Sequence, residues 1–166
     1  MSGCLSVKPR ERYSLSFSLR TSIRRCGSAS SLDGVAADQL SDDVLDQIWD
    51  QIETLRYHRI AHRDLRLANV FLGADGRIAL IDFGFSELAA SDLLLRTDIA
   101  ELVASLSLSV GSERAVAAAV RALGPAAVAD AADRLEPGNL SGATRTAYKA
   151  RPGELAGLQT TCRALP

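Results

Sequence analysis

Cysteine is scarce in this chain: Cys4, Cys26 and Cys162 are the only three in 166 residues, and no two of them form a Cys-x-x-Cys pair. An odd, dispersed set supports neither a disulfide framework nor a thiolate zinc site. His58 and His62 are the only histidines, which excludes a histidine-rich metal centre. Aromatic residues make up only 5% of the chain, and the lysines are limited to Lys8 and Lys149. No stretch approaches the roughly 18 uninterrupted apolar residues that a membrane helix needs. Neither charge dominates: the formal net charge of −1 argues against a nucleic-acid binder that relies on bulk attraction to phosphate. What remains, 47% hydrophobic and 23% charged residues, fits one soluble domain with a single core in a reducing cytoplasm.

The average conceals a break. Residues 1–32 contain six cations, one anion and nine serines, a net charge of +5, whereas residues 33–166 carry a net charge of −6 and become rich in Ala, Leu and Asp. The first part reads as a poorly ordered basic extension, with a targeting peptide or basic arm as the functional alternative. The second part carries helical periodicity. Ser41 can cap a helix opened by Asp42 and Asp43 and continued by Val44, Leu45, Ile48, Trp49, Ile52 and Leu55 on one face. Val70–Leu72 and Arg77–Ile81 predict a small β-hairpin around Gly73-Ala74-Asp75-Gly76. Helices are expected after Asp98, from Ser112 to a stop at Gly124-Pro125, then up to Glu136-Pro137-Gly138, and after Ser141 and Pro152. The fold class is therefore α+β and mostly α, with one hairpin set among helices.

Between the first helix and the hairpin lies His62-Arg63-Asp64-Leu65-Arg66-Leu67-Ala68-Asn69, and the second strand runs into Asp82-Phe83-Gly84. Asp64 or Asp82 alone would read as a turn residue or helix cap. Together with Asn69, in this order and with this spacing, they match H-R-D-L-x-x-x-N followed by D-F-G. The chain thus resembles the protein-kinase-like phosphotransferases. The resemblance implies that Asp64 accepts the proton of an acceptor hydroxyl, and that Asn69 and Asp82 hold the magnesium ion that accompanies ATP. It also implies that His62 and Arg63 support the loop, that Phe83 packs inward, and that Gly84 lets the backbone reverse beside the metal. Asp98, opening an apolar helix 34 residues after Asp64, resembles the aspartate that braces the catalytic loop in this fold. Arg66 reads as an exposed loop residue, and Glu87 as a solvated charge or helix start rather than a third metal ligand.

Only 16 positions separate Asp82 from Asp98, with no Ala-Pro-Glu between them, so a regulated kinase's activation segment has no room. The short segment resembles the atypical RIO and Bud32 groups and the aminoglycoside-phosphotransferase-like enzymes. The stretch from His62 to Val110, with Ala115–Gly124, also resembles a kinase-like segment of actinobacterial multi-pass membrane proteins, which join it to a lysylphosphatidylglycerol synthase or flippase-like region. That likeness implies the cytoplasmic face of a membrane, with a membrane-protein partner or a missing fused transmembrane region. No G-x-G-x-x-G occurs, and neither lysine is placed to anchor ATP. The expectation is a C-terminal lobe over residues 33–166 whose N-terminal lobe is missing. Its function is then either impaired phosphotransfer from ATP to a hydroxyl, or a noncatalytic binding or regulatory module beside a lipid transporter.

Overall fold

A computed structural model describes residues 30–166. Six α-helices and one three-stranded antiparallel sheet make up the regular structure of that range. The fold is α+β and predominantly helical.

Helix α1 (Asp42–Tyr57) begins where Ser41 stops the extended chain: its hydroxyl accepts the amide of Val44 at 3.3 Å. Asp42 and Asp43 lie against the positive end of the helix dipole. Leu45, Ile48, Trp49, Ile52 and Leu55, one face at helical spacing, are all buried. The helix ends in a left-handed turn at Arg59, φ 56°, with the amide of Ile60 donating to the Leu55 carbonyl. Glycine is the favoured residue at such a position, and here an arginine occupies it.

Strands β2 (Val70–Leu72) and β3 (Ile78–Leu80) form the expected hairpin, with Val70 opposite Leu80 and Leu72 opposite Ile78. A third strand, β1 (Ser30–Ser31), pairs with the other edge of β2. Leu32 follows it into the core, and its amide donates to the Val70 carbonyl at 2.9 Å. The boundary expected after residue 32 therefore falls inside the folded region. Two serines carry no periodicity, so only pairing with β2 could reveal the strand. The rest of the basic segment, residues 1–29, lies outside the described range.

Helix α2 (Asp92–Val110) starts six residues before the expected Asp98, because Ser91 caps it by accepting the amide of Leu94. Leu95 and every residue from Asp98 to Ser107 are buried, so α2 is the central helix around which the others pack. Gly111, φ 85°, and Gly124, φ 81°, supply the left-handed backbone between α2, α3 (Ser112–Leu123) and α4 (Pro125–Ala131). Ser141 caps α5 (Gly142–Lys149), and α6 (Glu154–Arg163) closes the chain against α3 and α4. Among the described residues no helix is long and apolar enough to cross a membrane.

Candidate active site

A carboxylate of α2 holds the start of the loop between α1 and β2. Asp98, almost wholly buried, accepts the amide of His62 at 2.6 Å on Oδ2 and that of Arg63 at 2.8 Å on Oδ1. Arg63 has a left-handed backbone, φ 69°, a conformation that side chains with a Cβ rarely adopt without outside support. Burial pushes the Asp98 carboxyl up, and the two amide hydrogen bonds partly offset that rise.

His62 is fully buried and joins this loop to the end of β3. Its Nε2 lies 2.8 Å from the Ile81 carbonyl, while its Nδ1 accepts the Asp64 amide at 3.4 Å. One neutral tautomer, with the proton on Nε2, satisfies both contacts. The Phe83 ring packs on the imidazole with centroids 4.6 Å apart. Phe83 nevertheless remains 38% exposed, so the inward packing expected of it is only half realised.

Asp64 is held from two sides. Arg66 Nε donates to Asp64 Oδ1 at 2.9 Å, and the Asn69 side-chain nitrogen donates to Asp64 Oδ2 at 2.8 Å and to the Asp64 backbone carbonyl at 2.8 Å. Burial raises the carboxyl, but the hydrogen bonds from Arg66 and Asn69 and the guanidinium charge outweigh it, leaving Asp64 below the usual carboxylate range. The same pairing raises Arg66. Arg66 is thus a partner of the central carboxylate rather than a bystander on the loop surface. With the Asn69 nitrogen committed to Asp64, Oδ1 is the atom of that amide left to bind a cation.

Asp82 carries the backbone reversal that the sequence reading placed on Gly84. Its φ is 62°, whereas Gly84 is not left-handed. A short polar side chain tolerates this region better than most, which explains how Asp82 holds it. A Cβ at Gly84 would stand 3.4 Å from Asp82 Oδ1, an ordinary contact, so neither the backbone nor the space around Gly84 demands a glycine. Glu87 pairs through its backbone with Ala61, the amide donating at 2.9 Å, and its carboxylate faces Arg63 at 3.7 Å. Its strand-like pairing and its ion pair make it part of the loop's frame.

Two supports have no counterpart in the motif. Ser105 of α2 accepts the Leu67 amide at 3.0 Å, and Ser31 of β1 donates to the carbonyls of Leu67 and Ala68 at 3.3 and 3.2 Å. A polar residue among the apolar ones of α2, Ser105, was the signal that could have revealed the first. The second depends on a strand that brings together residues 36 and 37 positions apart.

A hard divalent cation takes oxygen ligands and commonly keeps one or two side chains, with waters and substrate phosphates completing its shell. An amide oxygen at Asn69 and a carboxylate at Asp82 suit that demand. Among the described residues no three His, Cys, Asp or Glu side chains gather into a group that could hold a metal ion by themselves.

The phosphotransferase enzyme family model APH matches residues 8–126, well over half of the chain. The chain belongs to the phosphotransferase enzyme family. The match begins within the basic segment, so the family relationship reaches beyond the described range. Over 38 residues the chain is 55% identical to the serine/threonine-protein kinase kin-29 of Caenorhabditis briggsae, covering 23% of this chain and 5% of that one. Over 47 residues it is 45% identical to the mitochondrial serine/threonine-protein kinase ppk24 of Schizosaccharomyces pombe, covering 28% and 10%. The Caenorhabditis elegans kin-29 kinase is 34% identical over 64 residues, 39% of this chain and 8% of its own length. The chain spans a tenth or less of each of these curated relatives.

Proposed function

We propose that this chain forms the acceptor-activating and metal-binding part of a phosphotransfer site that moves the γ-phosphate of ATP to a hydroxyl. The observation that carries this reading is the Asp64–Asn69 pair: a carboxylate and an amide locked 2.8 Å apart on a loop whose amides are fixed to Asp98. Asp64 orients the acceptor hydroxyl and takes its proton as the oxygen bonds to phosphorus and the bond from phosphorus to the bridging oxygen of ADP breaks. A carboxyl below its usual range is a weak base, which suits orientation more than early proton abstraction. Asn69 Oδ1 and the Asp82 carboxylate would hold Mg2+, which when bound neutralises charge on the nucleotide phosphates. His62 and Asp98 keep the loop and the Asp82 turn in register.

A second reading, a noncatalytic kinase-like module that regulates a membrane lipid transporter, draws on two observations. Both Asp64 oxygens already have partners in Arg66 and Asn69. In addition, the sequence contains no G-x-G-x-x-G loop to cover the phosphates, and positioning supplies most of the catalysis in phosphoryl transfer.

Titration of the chain with ATP and magnesium, with ADP release as the readout, separates the two. On the first reading the chain alone binds weakly and turns over near background, and fusion behind an intact small lobe restores transfer that Asp64→Ala or Asp82→Ala abolishes. An inactive fusion that still binds nucleotide would favour the module.

A further inference from the structure

The large apolar side chains that stay exposed are unevenly placed. Among the described residues, Ile81, Phe83, Phe85, Leu88 and Leu93 all fall within residues 81–93, with Tyr57 as the one exception. Phe85 is 67% and Leu88 75% exposed. The backbone that presents them is tightly bonded: Phe83–Phe85 form a single 3-10 turn, Ser86 donates its amide and its hydroxyl to the Phe83 carbonyl at 3.0 and 2.8 Å, and Glu87 pairs with Ala61. Burying a Phe or Leu side chain is worth about 1.5–3 kcal/mol, so a fixed turn that holds several of them in water marks a contact surface.

One segment of this chain has a pattern that suits this face. Tyr13-Ser14-Leu15-Ser16-Phe17-Ser18-Leu19 alternates strictly between apolar residues and serine. In an extended chain residues two apart share a side, so the four apolar residues would line one side and the three serines the other. These residues lie outside the described range, but the point that tethers them is Ser30, the first residue of β1. Ser30 stands opposite Leu72 and Leu72 opposite Ile78, which puts Ser30 about 10 Å from Ile78 across two strand spacings. The chain from Ile78 to Phe83 adds at most ~17 Å, so the path is no longer than ~27 Å. Eleven residue steps join Leu19 to Ser30, enough to span roughly 36 Å. Charge agrees with reach: Arg12 and Arg20 flank the segment, whereas Asp82, Glu87 and Asp92 are the charged residues of 81–93. Glu87 and Asp92 already face Arg63 and Arg59, which leaves Asp82 as the negative charge of the face without an ion pair among the described residues.

We propose that residues 13–19 dock on the Ile81–Leu88 turn, with Tyr13, Leu15, Phe17 and Leu19 covering Phe83, Phe85 and Leu88. The occupant is this chain's own segment rather than a second copy, because a short tether gives an effective concentration on the order of millimolar. The contact stands apart from the phosphotransfer reading, and its test needs neither nucleotide nor metal.

Photocrosslinking of the full chain tests it, with 4-benzoyl-phenylalanine placed at position 17, on the apolar side, or at position 18, on the serine side, and adducts located by mass spectrometry. Position 17 is expected to react within its own chain with residues 81–90, and position 18 severalfold less. Phe85→Ser combined with Leu88→Ser should cut the position-17 yield severalfold; both side chains are exposed, so the core stays intact. Leu15→Asp should give the same loss without touching the turn, which keeps the test valid if the double variant folds poorly. Tyr57→Ser, at an exposed apolar residue outside the face, should leave the yield unchanged. The proposal is overturned if position 17 gives no adduct or reacts elsewhere, if positions 17 and 18 react equally, or if the yield stays within twofold of the native chain in Leu15→Asp. Adducts between two chains that rise with protein concentration would assign the face to a second copy and overturn it as well.

Discussion

At the scale of single residues, Asp98 and Asp64 show how the same group serves opposite electrostatic ends. Asp98 is buried, and two backbone amides satisfy its oxygens. Asp98→Ala leaves the amides of His62 and Arg63 as unpaired donors, so the variant should lose about 1–3 kcal/mol of unfolding free energy in urea. Its circular dichroism at 20 °C should stay native. Asp64 is linked to pH with a definite sign. Because its folded value is depressed, its contribution is present above the ordinary carboxylate pKa and is lost as pH falls through the lower folded value. Asp98, raised by burial, runs the other way and loses its contribution as pH rises through its folded value. Asp64→Asn should therefore lower the urea midpoint at pH 6, and the gap to the native chain should close as the pH falls below the ordinary carboxylate range.

At the scale of elements, caps and apolar stripes account for most of what forms. Ser41, Ser91 and Ser141 each start a helix by accepting an amide three residues on. The late start expected for α2 came from reading Asp98 as the opening residue, although Ser91 and Asp92 offer the same signal six residues earlier. Strand β1 is the opposite case, with no local pattern of its own. Its worth lies in Leu32, which leaves the strand directly into the main core. Leu32→Ala should cost about 2–5 kcal/mol, a value for filled core positions. A chain beginning at Asp33 should melt well below one beginning at Ser30. Equal melting temperatures for those two chains would show that β1 adds nothing.

At the scale of the whole molecule, α2 is the organising feature, because its four buried polar side chains tie two segments, the site loop and α5 with its cap, to one rod. Asp98 holds the His62–Arg63 amides, and Ser105 holds the amide of Leu67. Glu101 accepts from the Ser141 amide at 2.8 Å and from the Thr144 hydroxyl at 2.5 Å. Ser107 meets the Tyr148 hydroxyl at 2.5 Å. The site loop and the C-terminal helices therefore share one support and should unfold together. Cys162, buried on α6, reports that event at the far end of the chain. Burial pushes its thiol up to about 11. Iodoacetamide at pH 8 should leave the Cys162 peptide unlabelled in the native protein, as read by mass spectrometry. Labelling should rise over the same urea range in which the Trp49 fluorescence changes.

Local chemistry determined much of this protein. The helix starts at Ser41, Ser112 and Ser141, the β2–β3 hairpin and the order His62, Asp64, Asn69, Asp82 depend on neighbours within a few residues, and each was legible in the linear chain. Tertiary structure decided the rest. A serine hydroxyl on α2 paired with a loop amide 38 positions away, a two-residue strand at a sheet edge, and the left-handed turn at Asp82 leave no periodic trace. The same holds for Arg66 closing on Asp64. Each depends on groups distant in sequence meeting in space, where burial determines whether a polar atom is satisfied, a condition fixed only when the helices pack.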